Sequence, residues 1–134
     1  MAVESTVSPS ILQSVKKALG LEPDYDAFDP EIIMFINSTI ATLRQVGFGP
    51  SSGYSIDGPD QTWSDYFGDT NDFQFVKEYI YCRVRLMFDP PGNSFGISAL
   101  EKYAEELLWR INVEYEVQNH PNFEIEEDRY DRFV

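Results

Sequence analysis

Residues 76–88, Val-Lys-Glu-Tyr-Ile-Tyr-Cys-Arg-Val-Arg-Leu-Met-Phe, constrain the fold more than any other stretch of the chain. Phe73, Val76, Ile80, Val84 and Met87 recur at helical spacing, and Phe75, Tyr79, Cys82 and Leu86 form a second apolar row beside them. The combined arc is wider than the single stripe a monomer's surface helix presents, so the helix must be covered on more than one side. Asp89 precedes a proline and is pushed out of the α region. Pro90 and Pro91 cannot supply backbone donors, so the helix stops there. A second, acidic amphipathic run follows, Leu100-Glu-Lys-Tyr-Ala-Glu-Glu-Leu-Leu-Trp-Arg-Ile111. A broadly apolar helix paired with an acidic one points to a small subunit that buries surface against copies of itself. In that reading Tyr79, Arg83, Arg85 and Leu86 are the subunit-packing residues, with the two arginines pairing with acids of a neighbouring helix or subunit.

The remaining pattern predicts an all-α fold of four main helices. Ser8 as N-cap with Pro9 at the first position predicts a helix over about 9–19, closed by Gly20, with Ile11, Leu12, Val15 and Leu19 on its apolar face. Residues 22–29 read as an acidic linker. Asp29 as cap and Pro30 at the first position open a second helix whose Ile32, Ile36, Ile40 and Leu43 repeat until Gly47. From Gly47 to Asp69 the composition turns to Gly, Pro, Ser and Asp. Tyr54 and Ile56 alternate as a short strand would, and Trp63, Tyr66 and Phe67 share one helical turn that pins the loop's second half. Loops of this length in small domains are usually functional or disordered. Asp57 and Asp60 are this loop's candidate contact residues. The third helix is predicted over about 71–88. The fourth is predicted from Ser94 or from Ser98, where Ser98-Ala-Leu-Glu101 reads as a capping box. Its inner face would be Leu100, Tyr103, Ala104, Leu107, Leu108, Ile111 and Tyr115, with Glu101, Glu105, Glu106 and Glu114 toward water. The helical pattern fails after Val117, which divides the chain into a helical domain, 1–117, and an extended C-terminal arm, 118–134.

With 134 residues the chain has room for one core. Hydrophobic residues at 43% and aromatics at 15% predict a folded domain. The formal net charge is −13, from 23 acids against 10 bases. That balance argues against binding nucleic acid by neutralising phosphates. It suits a basic protein partner, a conduit through which a polyanion slides without sticking, or plain solubility. No apolar run approaches the roughly 20 residues that span a bilayer, so no membrane is expected. The N-terminus lacks the basic segment and apolar core of a signal peptide. Cys82 is the single cysteine, so no intrachain disulfide can form, and its place on the apolar helix makes it a buried structural thiol.

No constellation for catalysis emerges. His120, the single histidine, lies before Pro121 and far in sequence from Cys82. Residues 24–29, Asp-Tyr-Asp-Ala-Phe-Asp, fail as a calcium loop, because its fifth, sixth and twelfth positions hold Phe28, Asp29 and Phe35. Gly47-Phe-Gly-Pro50 lacks the spacing and the lysine of a phosphate loop. No enzyme activity, metal or cofactor is expected. The arm is different. It interleaves Phe123, Ile125, Tyr130 and Phe133 with charge, whereas disordered tails are usually poor in aromatics. These four read as anchors that order on a partner.

The succession of Ile11-Leu-Gln-Ser-Val-Lys-Lys-Ala-Leu19, Phe35-Ile-Asn-Ser-Thr-Ile-Ala-Thr-Leu-Arg-Gln-Val46, Thr62-Trp63, Tyr79-Ile-Tyr-Cys-Arg-Val-Arg-Leu-Met-Phe-Asp-Pro-Pro91 and Trp109-Arg110 resembles the head-tail connector (adaptor) proteins of tailed bacteriophages. These are packing and turn motifs, and their order along the chain carries the likeness. The resemblance implies a virion structural protein, assembled in the host cytoplasm, that forms a homo-oligomeric ring, usually a dodecamer. Such a ring sits at the head-tail interface beneath the phage portal protein and receives the next tail-side connector (stopper) protein. By the same resemblance, double-stranded DNA passes through it during packaging and ejection without specific binding, and Asp57 and Asp60 would lie on a lumen or tail-side loop. From a different class, the acidity also fits a DNA-mimic inhibitor of a basic nucleic-acid-binding protein.

Overall fold

A computed structural model describes residues 9–68 and 73–119. Within them the chain is all-α: α1 (Ile11–Ala18), α2 (Asp29–Gln45), a short α3 (Trp63–Phe67), α4 (Gln74–Phe88) and α5 (Ser94–Asn119). Asn71, His120 and the arm residues Phe123, Ile125, Tyr130 and Phe133 lie outside the described residues, and nothing of Tyr115's side chain is described.

The helix ends follow local chemistry, with three shifts from expectation. Ser10, not Ser8, caps α1, accepting from the Gln13 N–H at 3.2 Å. Pro9 stays outside because its carbonyl accepts from Trp63 N–H at 3.2 Å. Asp29 does not cap α2 but lies within its first turn, and the N-cap is Phe28 without a side-chain bond. The Asp29 carboxylate is drawn instead to buried Lys16, 2.9 Å away. Asn93 opens α5, its Oδ1 accepting from Gly96 N–H at 2.7 Å. Ser98 is therefore mid-helix, and the apparent capping box there is incidental. Gly96 is also needed for space, because a Cβ there would lie 2.9 Å from Pro91 Cβ. α5 continues to Asn119, two residues past the point where the sequence pattern fails.

The two glycine stops behave alike. Leu21 N–H reaches Lys16 O at 2.9 Å and Gly20 N–H reaches Lys17 O at 3.0 Å. At α2, Phe48 N–H reaches Leu43 O at 2.9 Å and Gly47 N–H reaches Arg44 O at 3.0 Å. Both are Schellman motifs with positive-φ glycines, 84° and 101°, and both turn the next apolar residue inward. Phe48 is buried and Leu21 half-buried.

α4 is the central element. It packs on α5 and α2 and touches α1. Its Val76, Tyr79, Ile80, Cys82 and Val84 are all buried, joined by Ile32, Ile36, Ile40 and Leu43 of α2 and Ala104, Leu107 and Ile111 of α5. The wide apolar arc is thus consumed mainly within the chain itself. Tyr79, expected at a subunit interface, is 4% exposed and belongs to the chain's own core.

The 47–62 segment is not a strand. Asn37 substitutes for a strand partner at Ile56, donating to its carbonyl at 2.9 Å and accepting from its N–H at 2.8 Å. Arg44 holds the Ser51 carbonyl through Nε and Nη2 at 3.0 and 2.6 Å. α3 forms as the Trp63, Tyr66, Phe67 spacing predicts, closed by a Thr62/Asp65 capping box. Its rings join Phe48, Tyr54 and Phe73 in one aromatic cluster, with centroids 4.9–6.0 Å apart. Trp63 Nε1 donates to Ser14 Oγ at 3.1 Å, tying α3 to α1. The long loop is therefore built into the body.

Burial sets two expectations. Ile80 is fully buried, so Ile80→Ala should cost about 2–5 kcal/mol in urea unfolding, and half-exposed Leu86→Ala should cost clearly less. Desolvation, then nearby Glu78, pushes the Cys82 thiol from its ordinary 9 up to about 11. At pH 8 the folded chain should then hold about 100-fold less thiolate than the unfolded chain. Modification by a chromogenic disulfide should be slower by at least that factor until denaturant is added. Stability conferred by the raised value is fully present below pH 9 and is lost as pH rises from there through about 11. Cys82→Ala should flatten that part of the stability profile.

Candidate functional site

The candidate site is a set of surfaces. α5 presents Ala104, Leu107 and Ile111 to α4, and Phe95 and Trp109, 83% and 57% exposed, lie on the opposite face. They are fourteen residues apart, about 21 Å along the axis and about 40° around it, so they belong to one outward stripe. Glu101, Glu105 and Glu106 are exposed along the same helix, and Arg110 bonds Glu106 at 2.8 Å. Arg110 also stands over the Phe75 ring at 5.5 Å, closing the edge of the second α4 row. Periodicity alone could have found the Phe95/Trp109 stripe. Attention to the inner face of α5 hid it.

Of the expected packing residues, Arg83 and Leu86 are half-buried on α4. Arg85, also half-exposed, donates through Nε to the Asp89 backbone carbonyl at 2.8 Å and through Nη1 to Tyr81 Oη at 3.3 Å. Its guanidinium fastens the C-terminal end of α4 rather than meeting a carboxylate side chain there. Asp57 and Asp60 are both exposed, on a loop segment stiffened by a two-way bond between Asp57 and Gln61: Gln61 Nε2 donates to Asp57 Oδ1 at 2.8 Å, and Asp57 N–H to Gln61 Oε1 at 3.2 Å. The structure does not bring them near the α4 residues as one cluster; they occupy separate surfaces.

Two departures concern α5. Tyr103, expected on the inner face, is 44% exposed at the seam, where its hydroxyl donates to Glu78 Oε1. That bond to a carboxylate holds the phenol protonated and pushes it up to about 12. Glu114, expected in water, is half-buried and interacts within the chain.

A cleft of about 290 Å³ opens between α1, α3 and α4, lined by Pro9, Val15, Trp63, Lys77 and Tyr81 among others. Lys77 stands over the Trp63 ring at 5.6 Å. Ser14 Oγ, which also lines it, donates to Ser10 O at 2.7 Å while accepting from Trp63, so its hydroxyl is committed to packing. Among the described residues no group of three or more His, Cys, Asp or Glu is placed to hold a metal ion. No described helix is long and apolar enough to cross a membrane.

The described residues offer apolar and acidic surface around a closed helical core. No curated protein and no solved structure matches the chain. The family described as phage connector protein, a structural rather than enzymatic family of virion components, matches residues 11–118, from the first residue of α1 almost to the end of α5. The chain belongs to the phage connector protein family.

Proposed function

We propose that this subunit is a head-tail connector that forms a ring beneath the portal of a tailed phage and conducts DNA during packaging and ejection. The observation that carries the reading is the family match across nearly the whole helical body. The physical features are consistent with it. A chain of net charge −13 does not hold a passing polyanion, and its outward apolar stripe offers neighbours something to bury. Neither the fold nor the comparisons support the alternative of a DNA-mimic inhibitor.

In this reading Phe95 and Trp109, with Leu86, Arg83 and Arg85 of α4, contribute contacts between subunits, and Tyr79 is left to the core. Asp57 and Asp60 face the lumen or the next tail-side component. The arm, 118–134, anchors the subunit on the portal or on a neighbour through Phe123, Ile125, Tyr130 and Phe133. An extended segment whose apolar residues are spaced by charge can be received by a groove or a sheet edge. Assembly as a ring, probed with portal-bearing heads, tests the whole proposal: cryo-electron microscopy should find the subunit in a closed ring directly below the portal. Its absence from tailed particles would refute the assignment.

Two predictions follow for the parts. Deleting 118–134 should leave the helical body folded by circular dichroism while abolishing its attachment to heads; infectious virions made with the truncated chain would move the docking surface to the helices. Asp57→Asn with Asp60→Asn should leave assembly intact and slow DNA release at low salt. The effect should fade at physiological salt, where screening beyond about 8 Å confines repulsion to close approach. A ring with this loop on its outer perimeter would remove that role.

A further inference from the structure

We propose that the connection between α1 and α2, residues 22–28, is a preformed docking surface for a basic, aliphatic segment of a partner protein. The inference rests on the loop itself and holds whether or not the subunit forms a ring. All seven residues are exposed. Glu22, Asp24 and Asp26 alternate along it, and among the described residues no basic side chain pairs with them. Between and beside these carboxylates stand Tyr25 and Phe28, 47% and 40% exposed. Their rings meet edge to face at 5.8 Å, and Phe28 meets Phe88 of α4 in the same way at 5.2 Å.

This segment is rigid for a reason the sequence disguises. Lys16 is fully buried, and its ammonium lies 3.1 Å from the Pro23 carbonyl and 2.9 Å from the Asp29 carboxylate. One inward-turned cation therefore ties both ends of the loop to α1. Between those ties run two successive turns, with Tyr25 N–H on Glu22 O at 3.1 Å and Asp29 N–H on Asp26 O at 3.2 Å. A buried lysine is costly unless its bonds are supplied. Here the hydrogen bond to Pro23 and the ion pair with Asp29 that compensate it also hold in place the segment carrying two solvent-facing rings.

Exposed, immobilised aromatics with a charged rim have the make-up of interface anchors, and rigidity lowers the ordering cost of binding. The rim selects the occupant. Three carboxylates within five residues repel nucleic acid and anionic bilayers and attract lysine or arginine, while the Tyr25–Phe28–Phe88 surface accepts aliphatic side chains between those charges. A second copy of the chain would bring its own charge of −13 against the patch.

The test uses the full-length chain, isotope-labelled and titrated with a short synthetic peptide in which lysines alternate with leucines. A glutamate-for-lysine version serves as control. The expected result is perturbation centred on Tyr25, Phe28 and Phe88. Phe28→Ala and the pair Asp24→Asn, Asp26→Asn should each weaken binding about tenfold or more, and the control peptide should not bind. Asp57→Asn with Asp60→Asn makes the same charge change elsewhere and should leave Kd within about twofold. Equal weakening by the two carboxylate pairs would mean diffuse attraction and overturn the proposal, as would perturbation centred on another face. If sedimentation shows self-association that Phe28→Ala abolishes, the occupant is a second copy and the proposal fails. Lys16→Met, if folded, should speed amide exchange at Tyr25 and Asp29 and weaken the peptide; undiminished binding would refute the role of Lys16. Should that variant not fold, the Asp24/Asp26 pair decides.

Discussion

α4 buries both of its apolar rows because helices from before and after it in the chain close on it from different sides. α2 and α5 both pack on it, α5 burying Ala104, Leu107 and Ile111, and α1 touches it. Close packing of this kind tolerates little change in volume. The sharp stop after Phe88 makes the arrangement possible. Asp89, Pro90 and Pro91 end the helix, Arg85 holds the carbonyl of its C-cap Asp89, and Gly96 lets the returning helix approach Pro91. A longer turn would carry α5 away from the face it covers.

The charge distribution follows from the same economy of space. The chain has 10 bases, and several are spent holding it together. Lys16 is buried in the α1–α2 connection, Lys77 lies on Trp63, Arg110 covers Phe75, and Arg44 and Arg85 grip backbone carbonyls. Lys16 alone among the described bases is buried, while Arg44 and Arg110 make their contacts from the exposed surface.

Periodicity and turn chemistry made much of the fold legible. The stops at Gly20, Gly47 and Asp89, the four main helices and the single turn at Trp63–Phe67 all follow from local signals acting on local structure. What was hidden depended on contacts distant in sequence. Nothing in the local pattern around Lys16 marks it as buried, and Asp29 reads as a cap; only their meeting in space gives either its role. Asn37 supplies the two hydrogen bonds that fix Ile56, nineteen residues on, so an apparent strand needed no strand partner. The breadth of the α4 arc was read as evidence for neighbours outside the subunit, because a one-dimensional pattern cannot tell whether the covering helix comes from the same chain. Tyr79 shows that it does.

That burial moves the candidate contact surfaces away from the centre of α4. With the α4 rows largely covered, the exposed apolar groups of the described residues include the outward stripe of α5 and the aromatic edge near Tyr25 and Phe28. The two differ in their electrostatics. In the proposed ring, contact between copies along α5 would bring like-charged bodies together, so burial of Phe95 and Trp109 would have to outweigh repulsion, and added salt should favour it by screening. Docking of a basic segment on 22–28 draws on attraction, and added salt should oppose it. A single salt titration that follows subunit association and peptide binding on the same sample therefore separates the two surfaces. Opposite slopes are expected of two independent interfaces; parallel slopes would mean that one surface serves both.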